Sequence, residues 1–299
     1  MQLLVLAVSL TALPMVLPAQ PSAHYAPGVE GIKAATLPPP GVYLRDYNYI
    51  YWSSQLNNLS GNEISGTDLS AVTYVNLPRL VWITDVKVLD GYLGVDGFLP
   101  LVYQKVDVNT PGGPFNGNNF GVGDLFVEGT ISWHLKQFDI SLGSGVDLPT
   151  GASPSRFGPS TMPGLGYWTF MQTAGATWYI DEAKTWAVSA LNRYEFNTEQ
   201  RETHVTYGNA YTLEWGVSKS VCKAADVGLV GYYQRQVTGN EGEPPNPNRG
   251  HDSVAAVGPE VTMAFPEQMF FASLRYNYEF MAKGRAQGNS ICLTLTKRF

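Results

Sequence analysis

The chain of 299 residues has a net charge of -6 and is 44% hydrophobic, 12% aromatic and only 15% charged, with 31 glycines. Soluble proteins carry about a quarter charged residues, and an acidic balance excludes nucleic acid as a partner. After residue 23 no apolar run reaches the roughly 20 residues that a spanning helix needs, so helical spans are excluded and spanning strands are left.

In chain order, Leu3 to Leu17 is apolar and Pro18 to Ala23 is small and turn-prone, which predicts a signal peptide over residues 1–23, cleaved near Ala19 or Ala23. No Lys or Arg precedes that apolar core. Residues 24–42 are proline-rich, and proline fixes φ and removes donors, so an irregular segment is expected, periplasmic or plugging the lumen. Residues 43–299 read as a single transmembrane antiparallel β-barrel of about 12 strands, all-β, with short periplasmic turns and long outer loops.

The first strand alternates Tyr43, Tyr47, Tyr49 and Tyr51 with Leu44, Asp46, Asn48 and Ile50; the tyrosines are expected outside and Asp46 inside. The second runs from Leu69 to Leu89, with a bulge expected at Pro78-Arg79, and Asp90-Gly91 signals a tight hairpin. Val108 to Phe120 reads as a long loop. The next strands alternate cleanly. Leu125, Val127, Ile131 and Trp133 oppose Asp124, Glu128, Thr130, Ser132 and His134; Trp186, Val188, Tyr194 and Phe196 oppose Arg193 and Glu195. Further on, Leu213 and Trp215 oppose Glu214, Val261 and Met263 oppose Glu260, and Leu274, Tyr276 and Tyr278 oppose Arg275 and Glu279. Ala282 to Asn289 reads as the last outer loop. Connections alternate long and short throughout, and the even strand count puts both termini on the same side.

The final strand places Ile291, Leu293, Leu295 and Phe299 on one face and Cys292, Thr294, Thr296 and Arg298 on the other. It needs a partner strand, which closure of a barrel supplies. It also resembles the C-terminal strand of Gram-negative outer-membrane barrels, which implies that Phe299 is an assembly signal read by the barrel assembly machinery, with outer-membrane lipid as the surroundings. At His24-Tyr25-x-Pro27-Gly28, Pro38-Pro39-Pro40-Gly41-x-Tyr43, Gly121-x-Gly123-Asp124-Leu125 and Leu148-Pro149-Thr150-Gly151 the chain resembles the family described as "putative meta-pathway of phenol degradation" proteins, often labelled transporters. The resemblance implies an outer-membrane barrel associated with aromatic or other hydrophobic compounds, and it brings no catalytic residues.

The inward charges, Asp124, Glu128, Glu195, Glu214, Glu260 and Glu279 with His134, Arg193 and Arg275, are the candidate lumen-lining and selectivity residues. Two readings stand: paired groups that fill the lumen, or an acid-lined pore that favours neutral or cationic solutes. His134 with Ser132 two residues away admits a hydrolase, but no motif fixes a nucleophile beside a base. His204 and His251 lie apart, and Cys222 and Cys292 lack metal-site spacing, so no metal and no cofactor are expected. The expectation is a non-enzymatic outer-membrane channel for passive uptake of small hydrophobic or aromatic compounds. The alternatives are a surface structural or adhesin barrel with a sealed lumen and, behind it, an outer-membrane barrel hydrolase.

Overall fold

Where apolar and polar residues alternate, successive side chains point to opposite faces of a strand, and a chain of such strands can close into a wall with a lipid side and a lumen side. The computed structural model describes residues 23–110, 113–154, 160–242 and 250–299. The expected leader lies outside the described residues except for Ala23, and so does the proline-rich part of the loop expected at 238–250.

The wall is built from β1 (Gly41–Leu56), β2 (Asp68–Val88), β3 (Gly91–Phe98), β4 (Leu101–Thr110), β5 (Gly113–Val122), β6 (Leu125–His134) and β7 (Phe138–Leu148). It continues through β8 (Thr169–Tyr179), β9 (Trp186–Asn197), β10 (Ala210–Cys222), β11 (Ala225–Gln236), β12 (Ser253–Phe265), β13 (Phe270–Lys283) and β14 (Ala286–Arg298). All pairings are antiparallel, and β1 pairs with both β2 and β14, which closes the ring. β3 and β4 lie end to end along β2, broken at Leu99-Pro100; β5 and β6 form the neighbouring broken stave, interrupted at Gly123-Asp124. The two breaks meet where the Gly123 N–H donates to the Pro100 carbonyl at 2.8 Å. Fourteen segments therefore make a closed barrel of 12 staves.

The alternation from β6 onward reads correctly, but several local expectations need correction. In β1 the tyrosines face the lumen: Tyr43, Tyr47 and Tyr49 are buried, while Leu44 and Ile50 are exposed on the outside. The cause is the phenol hydroxyl, which finds buried acceptors inside, as Tyr47 does at Glu30. Asp46 consequently points outward, where the side-chain amides of Asn48 and Asn76 donate to it at 2.9 and 2.8 Å. No bulge occurs at Pro78-Arg79, because β1 pairs in continuous register through Asp46 opposite Pro78. Pro78 instead marks the point where β2 exchanges β4 for β3 as its partner, and the irregularity in β2 lies between Ile83 and Lys87.

The tight turn after β2 is Leu89-Asp90, one residue earlier than expected; both have positive φ (50° and 64°), as a two-residue hairpin of this hand requires. Val108 to Phe120 is largely strand, since β4 and β5 pair through Thr110 opposite Gly113. The final connection is only Gly284-Arg285, so no loop spans Ala282 to Asn289.

The polarity of the molecule is inverted relative to a soluble protein. Trp82, Phe170, Trp178, Leu229 and Leu274 are exposed on the outer wall, whereas Arg275, Glu195, Glu214 and Glu279 are among the largest fully buried side chains. Apolar area is favourable on the outside only when lipid covers it.

Candidate functional site: the lumen and the segment inside it

Residues 23–40 run through the lumen from one end to the other. His24 contacts Asp124, Thr169 and Glu195, near the ends of staves that carry long connections. Lys33 pairs with Asp226 at 2.7 Å and Thr36 donates to Asp139 at 3.0 Å, both beside the short turns. Pro40 then leads directly into β1. Two glycines let the segment lie flat against the wall. Gly28 has φ +87° and sits where a Cβ would be 2.8 Å from the Tyr232 ring, and a Cβ on Gly31 would fall within 2.0 Å of the Glu260 carboxylate.

Among the described residues, the segment makes no backbone ladder with the wall. Its N–H groups go to wall carboxylates instead, as buried donors must find acceptors somewhere. Glu195 accepts from the N–H of His24 (2.8 Å) and Tyr25 (3.1 Å). Glu214 accepts from Gly28 (2.8 Å) and Glu30 (3.1 Å), and Glu260 accepts from Ile32 (2.8 Å). Arg275 donates to the Val29 carbonyl, Gln234 to that of Tyr25 and Tyr43 to that of Pro39. Three of the acids expected to line an open lumen thus hold the main chain of this segment.

The remaining expected residues are distributed along the same path. Asp124 accepts from the backbone of Gly151 and Leu165 (2.8 and 2.7 Å) and pairs with His24 Nε2 at 3.0 Å, so it ties the β7–β8 connection to the lumen segment. Arg193 pairs with Glu214 at 2.8 Å and Arg275 with Glu260 at 3.4 Å. Glu279 accepts from Tyr51, Tyr232 and the Gly288 N–H, away from the others. Glu128 pairs with Arg79 at 3.3 Å. His134 bonds Asp139 at 3.0 Å, and the buried Ser132 hydroxyl has no hydrogen-bond partner, so the two do not form a nucleophile–base pair. Phe299 stands outside the lumen, 69% exposed, its N–H donating to the Val42 carbonyl across the β1–β14 seam.

The centre of the site was not legible in the sequence. Glu30 receives Arg79 Nη1 at 3.0 Å, Arg45 Nη2 at 3.3 Å and the Tyr47 hydroxyl at 3.0 Å, with Arg193 Nη2 at 3.8 Å. Arg79 also pairs with Asp96 at 2.8 Å. The guanidiniums of Arg45, Arg79 and Arg193 compensate the burial of this carboxylate. Beside this cluster lies a cavity of about 30 Å³, lined by Ala34, Leu37, Val81 and Leu191 together with the charged groups. Its size admits roughly a water or two. The missed signal was parity: Arg45 shares a face with Tyr43 and Tyr47, so assigning the tyrosines outward removed Arg45 from the lumen.

A closed antiparallel wall with an apolar exterior and a buried polar interior is a bacterial outer-membrane β-barrel. The fold is shared with an outer membrane channel from Pseudomonas putida F1, at 14% identity and TM-score 0.70, covering 89% of this chain and 97% of that one. It is shared more loosely with the translocator domain of the autotransporter NalP from Neisseria meningitidis, at 10% identity and TM-score 0.52, covering 89% and 91%. A comparison with curated proteins gives no match. Residues 53–295 match the family described as "Putative MetA-pathway of phenol degradation", and the chain belongs to that family.

Proposed function

We propose that this barrel is a non-enzymatic channel of the outer membrane for small hydrophobic or aromatic compounds, and that residues 24–40 are its plug. The observation that carries this reading is the way the lumen is filled. The occupant is a single irregular segment bonded through side chains, with no sheet pairing to the wall. A lumen built to be sealed needs only wall side chains that meet across it; a segment held at discrete points can be released. The family description, with its reference to phenol degradation, supports aromatic compounds as the solute class. In this reading Asp124, Glu128, His134, Arg193, Glu195, Glu214, Glu260, Arg275 and Glu279 set pore shape and hold the plug.

The test is conductance in planar bilayers. The intact barrel should conduct weakly, and deletion of residues 24–37 should raise the unit conductance several-fold. A barrel that stays silent after the deletion, while still migrating as a folded heat-modifiable species, would favour a sealed surface role.

A further inference from the structure

Glu30 reaches its partners from outside the wall's own residues. Arg79 Nη1, Arg45 Nη2 and the Tyr47 hydroxyl converge on its two oxygens at 3.0 to 3.3 Å, and Arg193 adds a third guanidinium at 3.8 Å. Arg79 and Arg193 each keep other wall acids through separate contacts, namely Asp96 and Glu128 for Arg79 and Glu214 for Arg193. Arg45 differs: among the described residues, Glu30 is the carboxylate that it pairs with. Planar guanidinium forks converging on one carboxylate are the geometry by which proteins bind carboxylates in general. The group bound here belongs to a segment without a ladder. Ala34, Leu37, Val81 and Leu191 line the same cavity as Glu30, Arg45, Arg79 and Arg193, and two of these four apolar residues belong to the segment itself. If the segment moves, Val81 and Leu191 remain beside the arginines.

We propose that Arg45, Arg79, Arg193 and Tyr47 form a binding site for small carboxylic acids with an apolar body, and that Glu30 is its resident occupant, exchanged for the solute's carboxylate when the plug is released. This rests on the plug reading above and narrows the solute class to compounds such as aromatic acids. It also departs from an acid-lined, anion-excluding pore: the wall acids near the centre are already engaged by arginines and by plug N–H groups. A tethered occupant competes at high effective concentration. The intact protein therefore shows the site only to the extent that Glu30 vacates it.

The probe is sodium benzoate at pH 7, titrated calorimetrically into the purified full-length barrel, with benzyl alcohol as the uncharged control and acetate as the control without a ring. Glu30→Ala should bind benzoate at least about tenfold more tightly than the unsubstituted protein, because the competing occupant is gone. Benzyl alcohol and acetate should gain less, and adding Arg45→Gln to Glu30→Ala should reverse most of the gain. If Glu30→Ala does not fold, Glu30→Gln keeps the shape and should move in the same direction by a smaller factor. Equal affinity for benzoate in the variant and the parent, or equal affinity for benzoate and benzyl alcohol, would overturn the site and leave Glu30 a structural anchor. Conductance is read separately: benzoate binding in a silent barrel sinks the channel and keeps the site, and a conducting barrel indifferent to benzoate sinks the site alone.

Discussion

The Glu30 carboxylate and the Arg79 guanidinium meet at 3.0 Å, one on the lumen segment and the other in the middle of β2, and Arg79 spends its remaining nitrogens on Asp96 and Glu128. Arg79 therefore neutralises wall and segment together. Removing it leaves three buried carboxylates short of a partner. Breaking a buried ion pair from one side costs about 3 kcal/mol or more, since the stranded charge keeps its desolvation penalty. Arg79→Gln should lower the unfolding free energy read from urea titration in lipid vesicles by that order, and Glu30→Gln should shift it less. A shift for Arg79→Gln no larger than for Glu30→Gln would mean that Asp96 and Glu128 are satisfied without it.

The pH dependence of plug docking follows from the same carboxylate. Docking sets the Glu30 carboxylate against the guanidiniums of Arg79, Arg45 and Arg193, which attract it only while it is ionised. Docking should be at full strength where Glu30 is ionised and weaken as falling pH protonates it. Bilayer conductance at pH 3 should therefore exceed that at pH 6, and Glu30→Gln should remove Glu30's share of the rise. An identical rise in the variant would assign the effect to other carboxylates, such as Glu195 or Glu214.

Gly31 offers a steric test that leaves charge untouched. A Cβ there would lie 2.0 Å from a Glu260 oxygen, so a side chain must drive the segment off the wall or displace Glu260 from the Ile32 N–H and Arg275. Gly31→Val should raise open-channel conductance several-fold with the barrel still heat-modifiable. Gly129, where a Cβ meets nothing within 4 Å, is the matched control, and Gly129→Val should behave as the parent.

Phe299 is 69% exposed on the outer face, tied to Val42 only by its N–H. Its side chain adds little to the fold, so a defect on deletion would report on recognition during insertion. Deleting Phe299 should reduce the folded outer-membrane fraction in cells, while the same chain refolds normally into detergent. Equal losses in both settings would make Phe299 a stability residue instead.

The parts of the fold legible in the sequence were those where lipid and lumen demand opposite chemistry at every second position. β6, β9, β10 and β13 carry Trp, Leu and Val against Glu, Arg and Ser, and the pattern admits one assignment. β1 does not, because tyrosine suits either a membrane-facing belt or a buried hydroxyl partner; Leu44 and Ile50 on the opposite parity were the better guide. Pro78 was visible as an interruption, but whether it bends its own strand or marks a change of neighbour depends on β3 and β4. The candidate site was half legible: Glu128, Arg193, Glu214 and Arg275 were placed in the lumen. That their partners include main-chain N–H groups of residues 24–32, and that Glu30 sits among the arginines, depends on contacts between residues far apart in the chain. No local pattern encodes them.

The segment's placement also constrains the order in which the barrel can assemble. Pro40 passes straight into β1, and at the seam Arg298 donates to the Pro40 carbonyl at 3.0 Å while Phe299 reaches Val42. The groups that receive the segment come from β1 and β2 but also from β9, β10, β12 and β13, and the last of these is complete only when nearly the whole chain has been made. Contacts this distant in sequence form late, because the entropy of closing long loops is spent before they return anything. A closed ring leaves the segment only the open ends as a way in, so nesting is easiest while the sheet is still curling, before β14 zips onto β1. The rate of seam closure, followed by disulfide trapping between β1 and β14, should then fall in variants such as Gly31→Val that keep the segment from nesting, even though neither stave is altered.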